Sequence, residues 1–286
     1  MRNWRFWVWL TALLLAAATF ARPSLTLPKA VHRYVFVLDI TQSMNARDYH
    51  VTDSPSDRLG YTKAVLEQAL FQLPCGSEAG LAVFTHKNTH LLLTPLEICQ
   101  HEAALRDTLR AIDWRSAWAA DSYVAYGLFD AIRTAKNLDA AVVFFSDGQQ
   151  SPETAREPAF NGKPGSVPGW VMGVGGTTPI PIPKLDREGR PVGFWQTTDL
   201  TRQVLTQRYR QNPPHHRSGL LLSHLDEARL RQLANETGLG YRRLTTIENL
   251  TAALIDPRTA QTRSVATDLR PWLGWLILGL AATVLI

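Results

Sequence analysis

The chain lacks most of the features that announce an enzyme or a nucleic-acid binder. Across 286 residues there is no G-x-S-x-G elbow and no G-x-x-x-x-G-K-[ST] loop, so serine-hydrolase and phosphate-loop chemistry miss their central parts. The net charge of +5 is modest and dispersed, which gives little grip on a phosphate backbone; nucleic acid is not an expected partner. No repeat and no low-complexity tract occurs. With 45% apolar and 19% charged residues, the composition suits one sizeable α/β domain with short appendages rather than a disordered chain. Only two cysteines are present, Cys75 and Cys99. A zinc site using them with His101 lacks a fourth ligand at recognisable spacing.

Neither end of the chain has the roughly 20 apolar residues that cross a bilayer comfortably. Two shorter runs are nonetheless there. Phe6 to Ala21 is almost wholly apolar, with Arg2 and Arg5 before it and Trp4, Trp7 and Trp9 where an interfacial belt would lie. Residues 1–21 therefore read as an export segment, either a retained membrane anchor or a signal peptide cleaved after the small residues Thr19 and Ala21. The favoured reading is the anchor. Trp272 to Ile286 is a second apolar run, free of charge after Arg270, and reads as a membrane segment at 272–286. Flanking transmembrane segments at a cytoplasmic membrane, with the intervening domain on the periplasmic side, are the expectation.

An exported location permits a disulfide. Apolar stretches Gly80–Phe84 and His90–Thr94 flank the turn residues His86, Lys87 and Asn88, which predicts an antiparallel hairpin. Cys75 and Cys99 lie almost equally far from that turn, so the open end of the hairpin brings them near each other. A bond between them is favoured over two separate buried thiols.

The most informative segment is Val31 to Ser43, VHRYVFVLDITQS. An apolar strand stops on Asp39 and enters a D-x-T-x-S loop. Alternate residues of an extended loop point the same way, so Asp39, Thr41 and Ser43 can converge above the strand's carboxyl end. Hard divalent cations want such oxygen donors and keep water or an outside ligand in their remaining positions. Two later loops offer further donors. Strand Ala140–Phe145 runs into Ser146-Asp147-Gly148, and Ser122 follows the Trp-rich loop WRSAWAA at the start of a helix, as a cap or a ligand.

The remaining pattern alternates. Apolar residues at helical period predict helices over Leu59–Leu73, His101–Ile112, Ser122–Lys136, Asp226–Thr237 and about Glu248–Leu254. Strands are predicted at Gly169–Val174 and Gly240–Leu244 besides those above. Strands alternating with helices imply an α/β, doubly wound, mostly parallel sheet with one antiparallel edge hairpin and a site at the strands' carboxyl ends. Residues 31–255 form this domain. Residues 175–223 interrupt it as a long Pro-rich, then basic, insertion.

These motifs together resemble the metal-ion-dependent adhesion site of von Willebrand factor A (VWA) domains. The resemblance implies Asp39, Thr41, Ser43, Ser122 and Asp147 as the ligand set for Mg²⁺ (or Mn²⁺ or Ca²⁺), completed by an Asp or Glu of a protein partner. Two positions depart from the pattern: Gln42 stands where a glycine is usual, and Ser122 where a threonine is usual. The stretch G-V-G-G-T-T-P-I-P-I-P, its D-x-x-G turn, and L-D-E-x-x-L-R-Q-L-A-x-x-T-G are similar to membrane-anchored VWA proteins of the Bat type. That implies a MoxR-type AAA+ ATPase and other VWA proteins as partners. D-I-T-Q-S-M-N, R-D-Y, and D-W-R before W-A-x-D-S look closest to VWA proteins of methanol-oxidation (mxa) gene clusters. The role implied is assembly or maturation of an envelope or periplasmic complex, of methanol-dehydrogenase type in that branch.

A haloacid-dehalogenase-like phosphatase using Asp39 is the enzymatic alternative. It needs a second carboxylate two residues later as general acid–base, and that position is Thr41. A generic adhesion module is the other alternative. No catalytic residue is assigned. Within the insertion, Trp195 and Arg210 are expected to touch the partner beside the metal, among Phe194, Tyr209 and the arginines Arg202, Arg208 and Arg217. Those arginines otherwise form a solvated face, and His215 and His216 a surface pair.

Overall fold

The computed structural model describes residues 3–51, 54–119, 121–151, 157–196, 199 and 219–285. The chain divides into two compact units, Met1–Ala30 with Gln261–Ile286, and Val31–Ala260.

The larger unit is built on a sheet in the order β12-β7-β6-β1-β4-β5. Its strands are β1 (Ser24–Asp39, of which Val31 onward lies in this unit), β4 (Glu78–Thr85), β5 (Asn88–Glu97), β6 (Ala141–Ser146), β7 (Gly169–Gly173) and β12 (Gly240–Arg243). All neighbours run parallel except β4 and β5, which form the antiparallel hairpin at the edge. Side chains alternate across the sheet with period two. Tyr34, Phe36 and Leu38 pack into a core on one face, with helices Arg58–Leu70, Glu102–Ala111 and Ile247–Leu254. Val35 and Val37 pack on the other, with helices Val124–Asn137 and Glu227–Thr237. β1 and β6 are buried on both faces, hence their nearly continuous apolar sequence.

Local chemistry fixes the helix ends. Asp57 caps the first helix of this unit by accepting from the amide of Gly60 at 2.7 Å, Asp226 does the same for Arg229 at 3.1 Å, and Thr246 for Asn249 at 3.2 Å. Gly238, at φ +75°, terminates helix Glu227–Thr237 in the left-handed conformation that glycine adopts freely. Cys75 and Cys99 are joined in a disulfide beside the open end of the hairpin.

The described part of the insertion holds two short ladders. β8 (Ile180–Pro181) pairs with β11 (Leu222–Ser223), and β9 (Pro183–Leu185) pairs with β10 (Pro191–Phe194), both antiparallel. A further small hairpin joins β2 (Tyr49–Val51) to β3 (Ser54–Ser56). Neither the insertion's ladders nor this hairpin carries the period-two apolar signal used above. Arg202, Arg208, Tyr209, Arg210, His215, His216 and Arg217 lie outside the described residues.

In the smaller unit, helices Asn3–Thr19 and Arg270–Leu285 pack together, and β13 (Ala260–Asp268) pairs with β1. Both helices form where apolar runs were read. At 17 and 16 residues they extend only about 24–26 Å at ~1.5 Å per residue, against ~30 Å of hydrocarbon. No helix among the described residues is long and apolar enough to cross a membrane. The expected pair of transmembrane segments is thus seen as two short apolar helices.

Candidate metal centre

Asp39 is the last residue of β1, and Ser146 the last of β6, with Asp147 following. Parallel pairing puts both strand ends on the same edge of the sheet. Asp39, Ser146 and Asp147 are completely buried, and Thr41 and Ser122 nearly so. Asp39 Oδ1 accepts from the amide of Thr41 at 2.9 Å and from its hydroxyl at 2.7 Å. Thr41 Oγ1 is 3.3 Å from Ser43 Oγ. The spacing-two loop therefore does bring its three donors together, and Asp39 consumes Thr41's proton while leaving that oxygen's lone pairs free.

Ser146 donates to Asp39 Oδ2 at 2.7 Å and accepts from the amide of Gly148 at 3.0 Å. Ser146 was not among the predicted ligands, although the S-D-G motif contains it. Burial, and then the nearby charge of Asp147, push the Asp39 carboxyl up to about 7, against the opposing bonds from Ser146 and Thr41. Two carboxylates this close ionise together only if positive charge compensates them.

Part of that compensation is Arg58, which sequence reading missed. Its position at the first turn of helix Arg58–Leu70 is an ordinary solvent-facing one by pattern, but its side chain is fully buried. The guanidinium donates to Asp147 Oδ2 at 2.8 Å, to Ser223 Oγ at 2.5 Å and to Asp48 Oδ2 at 2.7 Å. Burial opposes its charge, but Asp147 and Asp48 outweigh burial and raise its pKa. Burial raises Asp48 too, yet the bond and charge of Arg58 and the amide of Gly176 hold it below the ordinary carboxylate range. Asp147 Oδ1 accepts from the amide of Gln149 at 3.0 Å. Gly175, at φ +111°, leaves room for Arg58: a Cβ there would stand 2.5 Å from Arg58 Nε.

Ser122 is placed by backbone bonds to two neighbours. Its amide donates to Ser151 O at 2.8 Å, the amide of Ser151 returns the bond at 2.9 Å, and it bridges in parallel to His86 at the β4–β5 turn. Ser122 does not cap the helix that follows, which starts at Val124 with Tyr123 as its cap residue. Its buried hydroxyl has no hydrogen-bond partner. An unsatisfied buried hydroxyl costs about 1–3 kcal/mol, so its presence at this sheet edge calls for an occupant.

The residues fit a hard divalent cation. Two carboxylates and three hydroxyls, one of them the unbonded Ser122 oxygen, supply oxygen donors only, and among the described residues the one buried guanidinium beside them leaves negative charge uncompensated. Trp195 is less exposed than expected of an interface anchor. Its ring lies under Lys184 Nζ at 4.9 Å, and its backbone is held by bonds to Ile182 and Leu221. Cys75, Cys99 and Glu97 lie close together, but the disulfide removes both thiolates from metal chemistry.

Among the solved structures similar in fold are two from Bacteroides. An aerotolerance-related membrane protein from Bacteroides fragilis is 18% identical, covering 78% of this chain and 96% of its own, with a TM-score of 0.53. BatB from Bacteroides thetaiotaomicron, a conserved hypothetical protein, is 16% identical with the same coverages and a TM-score of 0.52. No curated protein matches the sequence. Residues 34–150, which span Asp39 through Asp147, match the von Willebrand factor type A domain model.

Proposed function

We propose that the chain is a non-catalytic, metal-dependent docking module, which holds a protein partner through a divalent cation at Asp39, Thr41, Ser43, Ser122 and Asp147. What supports this reading is the buried pair of carboxylates, Asp39 and Asp147, at the ends of adjacent strands, together with the buried, unbonded hydroxyl of Ser122. When bound, the metal supplies a Lewis-acidic position for a carboxylate of the partner. The chain's own residues hold the donors in place: Ser146 and Thr41 orient Asp39, and Arg58 with Ser223 orients Asp147. Against the phosphatase alternative stands Thr41, two residues after Asp39, whose hydroxyl donates to Asp39 where that chemistry needs a second carboxylate.

The proposed location is a membrane surface on the periplasmic side. Trp4, Phe6, Trp7, Trp9, Leu13 and Leu14 of the first helix stay exposed, as do Trp272, Trp275, Leu276 and Leu278 of the last. Exposed apolar surface of that extent marks a membrane or protein contact. The likeness in fold to an aerotolerance-related membrane protein agrees with it. The sequence resemblance extends the proposal to envelope-complex assembly with a MoxR-type ATPase, the methanol-oxidation branch included.

Capture of envelope proteins on the immobilised chain tests the reading. Retention in Mg²⁺ that is lost in chelator, and lost in Asp39→Ala, is expected. Retention indifferent to both would reject metal-dependent docking.

A further inference from the structure

The buried cluster around the candidate metal holds one cation of its own. Asp39, Asp48 and Asp147 supply three carboxylates, and among the described residues Arg58 is the basic side chain that hydrogen-bonds two of them, Asp48 and Asp147. Its guanidinium spans two strand-end loops and a third segment: Asp48 after β1, Asp147 after β6, and Ser223 of β11. The carbonyl of Ser43, in the D-x-T-x-S loop itself, lies 3.4 Å from Nη1, the nitrogen that bonds Asp147 and Ser223. Gly175, whose missing Cβ leaves room for the guanidinium, and the amide of Gly176, which donates to Asp48 Oδ2, line the same place.

Burial strips this guanidinium of water and leaves its charge close to the carboxylates it bonds. Placed here, it acts electrostatically on whatever the site binds. A fixed positive charge beside the carboxylates repels an incoming cation and attracts an incoming anion. Resting on the metal reading above, we propose that Arg58 is a positioning residue that lowers metal affinity in exchange for stronger capture of an acidic partner group. Asp48 opposes it, tempering the arginine's charge from the side away from Asp147. Arg58 also occupies Asp147 Oδ2 together with Ser223, which is 3.2 Å from that oxygen.

The proposal makes two substitutions act in opposite directions, which simple loss of packing does not do. Mn²⁺ binding is measured by isothermal titration, and acetate binding to the Mn²⁺-loaded protein by water-proton relaxation. Arg58→Met is expected to bind Mn²⁺ roughly tenfold more tightly and acetate roughly tenfold more weakly. Asp48→Asn is expected to do the reverse, by a similar factor. Arg58→Lys, which retains the charge, should stay close to wild type in both. Circular dichroism reports whether each variant folds; if Arg58→Met does not, Asp48→Asn and Arg58→Lys still decide the matter. Weaker Mn²⁺ binding in all three variants would reduce Arg58 to a structural role and overturn the inference. Absence of Mn²⁺ binding by the wild type would instead overturn the metal reading itself.

Discussion

The hydroxyl of Ser146 donates to Asp39 Oδ2 at 2.7 Å, tying the last residue of β6 to the last residue of β1. The bond spans 107 positions of sequence and fixes the carboxylate's plane before any ligand arrives. It also stabilises the ionised form of Asp39. Ser146→Ala should therefore raise the Asp39 pKa above its wild-type value of about 7 in metal-free protein, as read by carboxyl-carbon NMR. An unchanged or lower pKa would show that the bond does not set the charge state.

Stability should follow the same carboxyl. Its folded pKa lies above the unfolded value of about 4, so the folded state holds the proton more tightly between those values. Its contribution is full below pH ~4 and is lost as pH rises through ~7. Metal-free protein should unfold at lower denaturant as pH climbs across that window. Asp39→Asn should flatten the decline, and saturating Mg²⁺ should remove it. Buried His32 has its pKa lowered by burial and contributes with the opposite sign, so the Asn variant is the necessary subtraction.

The Cys75–Cys99 bond closes a loop with a sequence separation of 24. In the chain-entropy model such a loop contributes about 3 kcal/mol. Reduction, or the double serine variant, should lower unfolding stability by about that much while leaving metal affinity unchanged, since the bond lies at the opposite end of β4 from Thr85 and His86. Urea unfolding with and without reductant reads it.

Gly127 sits within helix Val124–Asn137 against the ring of Phe84, where an added Cβ would stand 2.1 Å from Phe84 Cε2. Gly127→Ala should cost about 1–3 kcal/mol, because the gain in helix propensity is smaller than the overpacking penalty. A thermal midpoint equal to or above wild type would show that the sheet and helix can separate at no cost.

The sheet was legible because its central strands are buried on both faces and read as unbroken apolar runs between polar, loop-forming residues. Helix ends were legible to within a few residues where Asp57 or Asp226 caps them. The convergence of Asp39, Thr41 and Ser43 in the loop after β1 was legible because three oxygen donors at spacing two identify themselves. Arg58 was not, since nothing in the pattern D-R-L-G distinguishes a buried arginine from a solvated one; only the convergence of Asp48, Asp147 and Ser223 from distant segments does. The ladders β8–β11 and β9–β10 were hidden by their prolines, which are usual in loops and here stand in two-residue and three-residue strands. The amino-terminal half of β1 and its partner β13 were missed for another reason: largely exposed and paired across more than 200 residues, they carry no core signal.

Trp195 keeps its proposed role at the partner surface. Its indole nitrogen is buried without an acceptor, while Phe194 and Val192 beside it are exposed. Trp195→Ala should weaken partner capture and leave Mn²⁺ affinity within error of wild type. A matching loss of metal affinity would make it part of the site's scaffold instead.

Calorimetric titration of the chelator-stripped chain with Mg²⁺ and Mn²⁺, run in parallel on wild type and Asp39→Ala, tests the central claim most directly. The account predicts one saturable site in the wild type and none in the variant, with the variant retaining its circular dichroism spectrum. Equal affinity in both proteins, or no site in either, would contradict it.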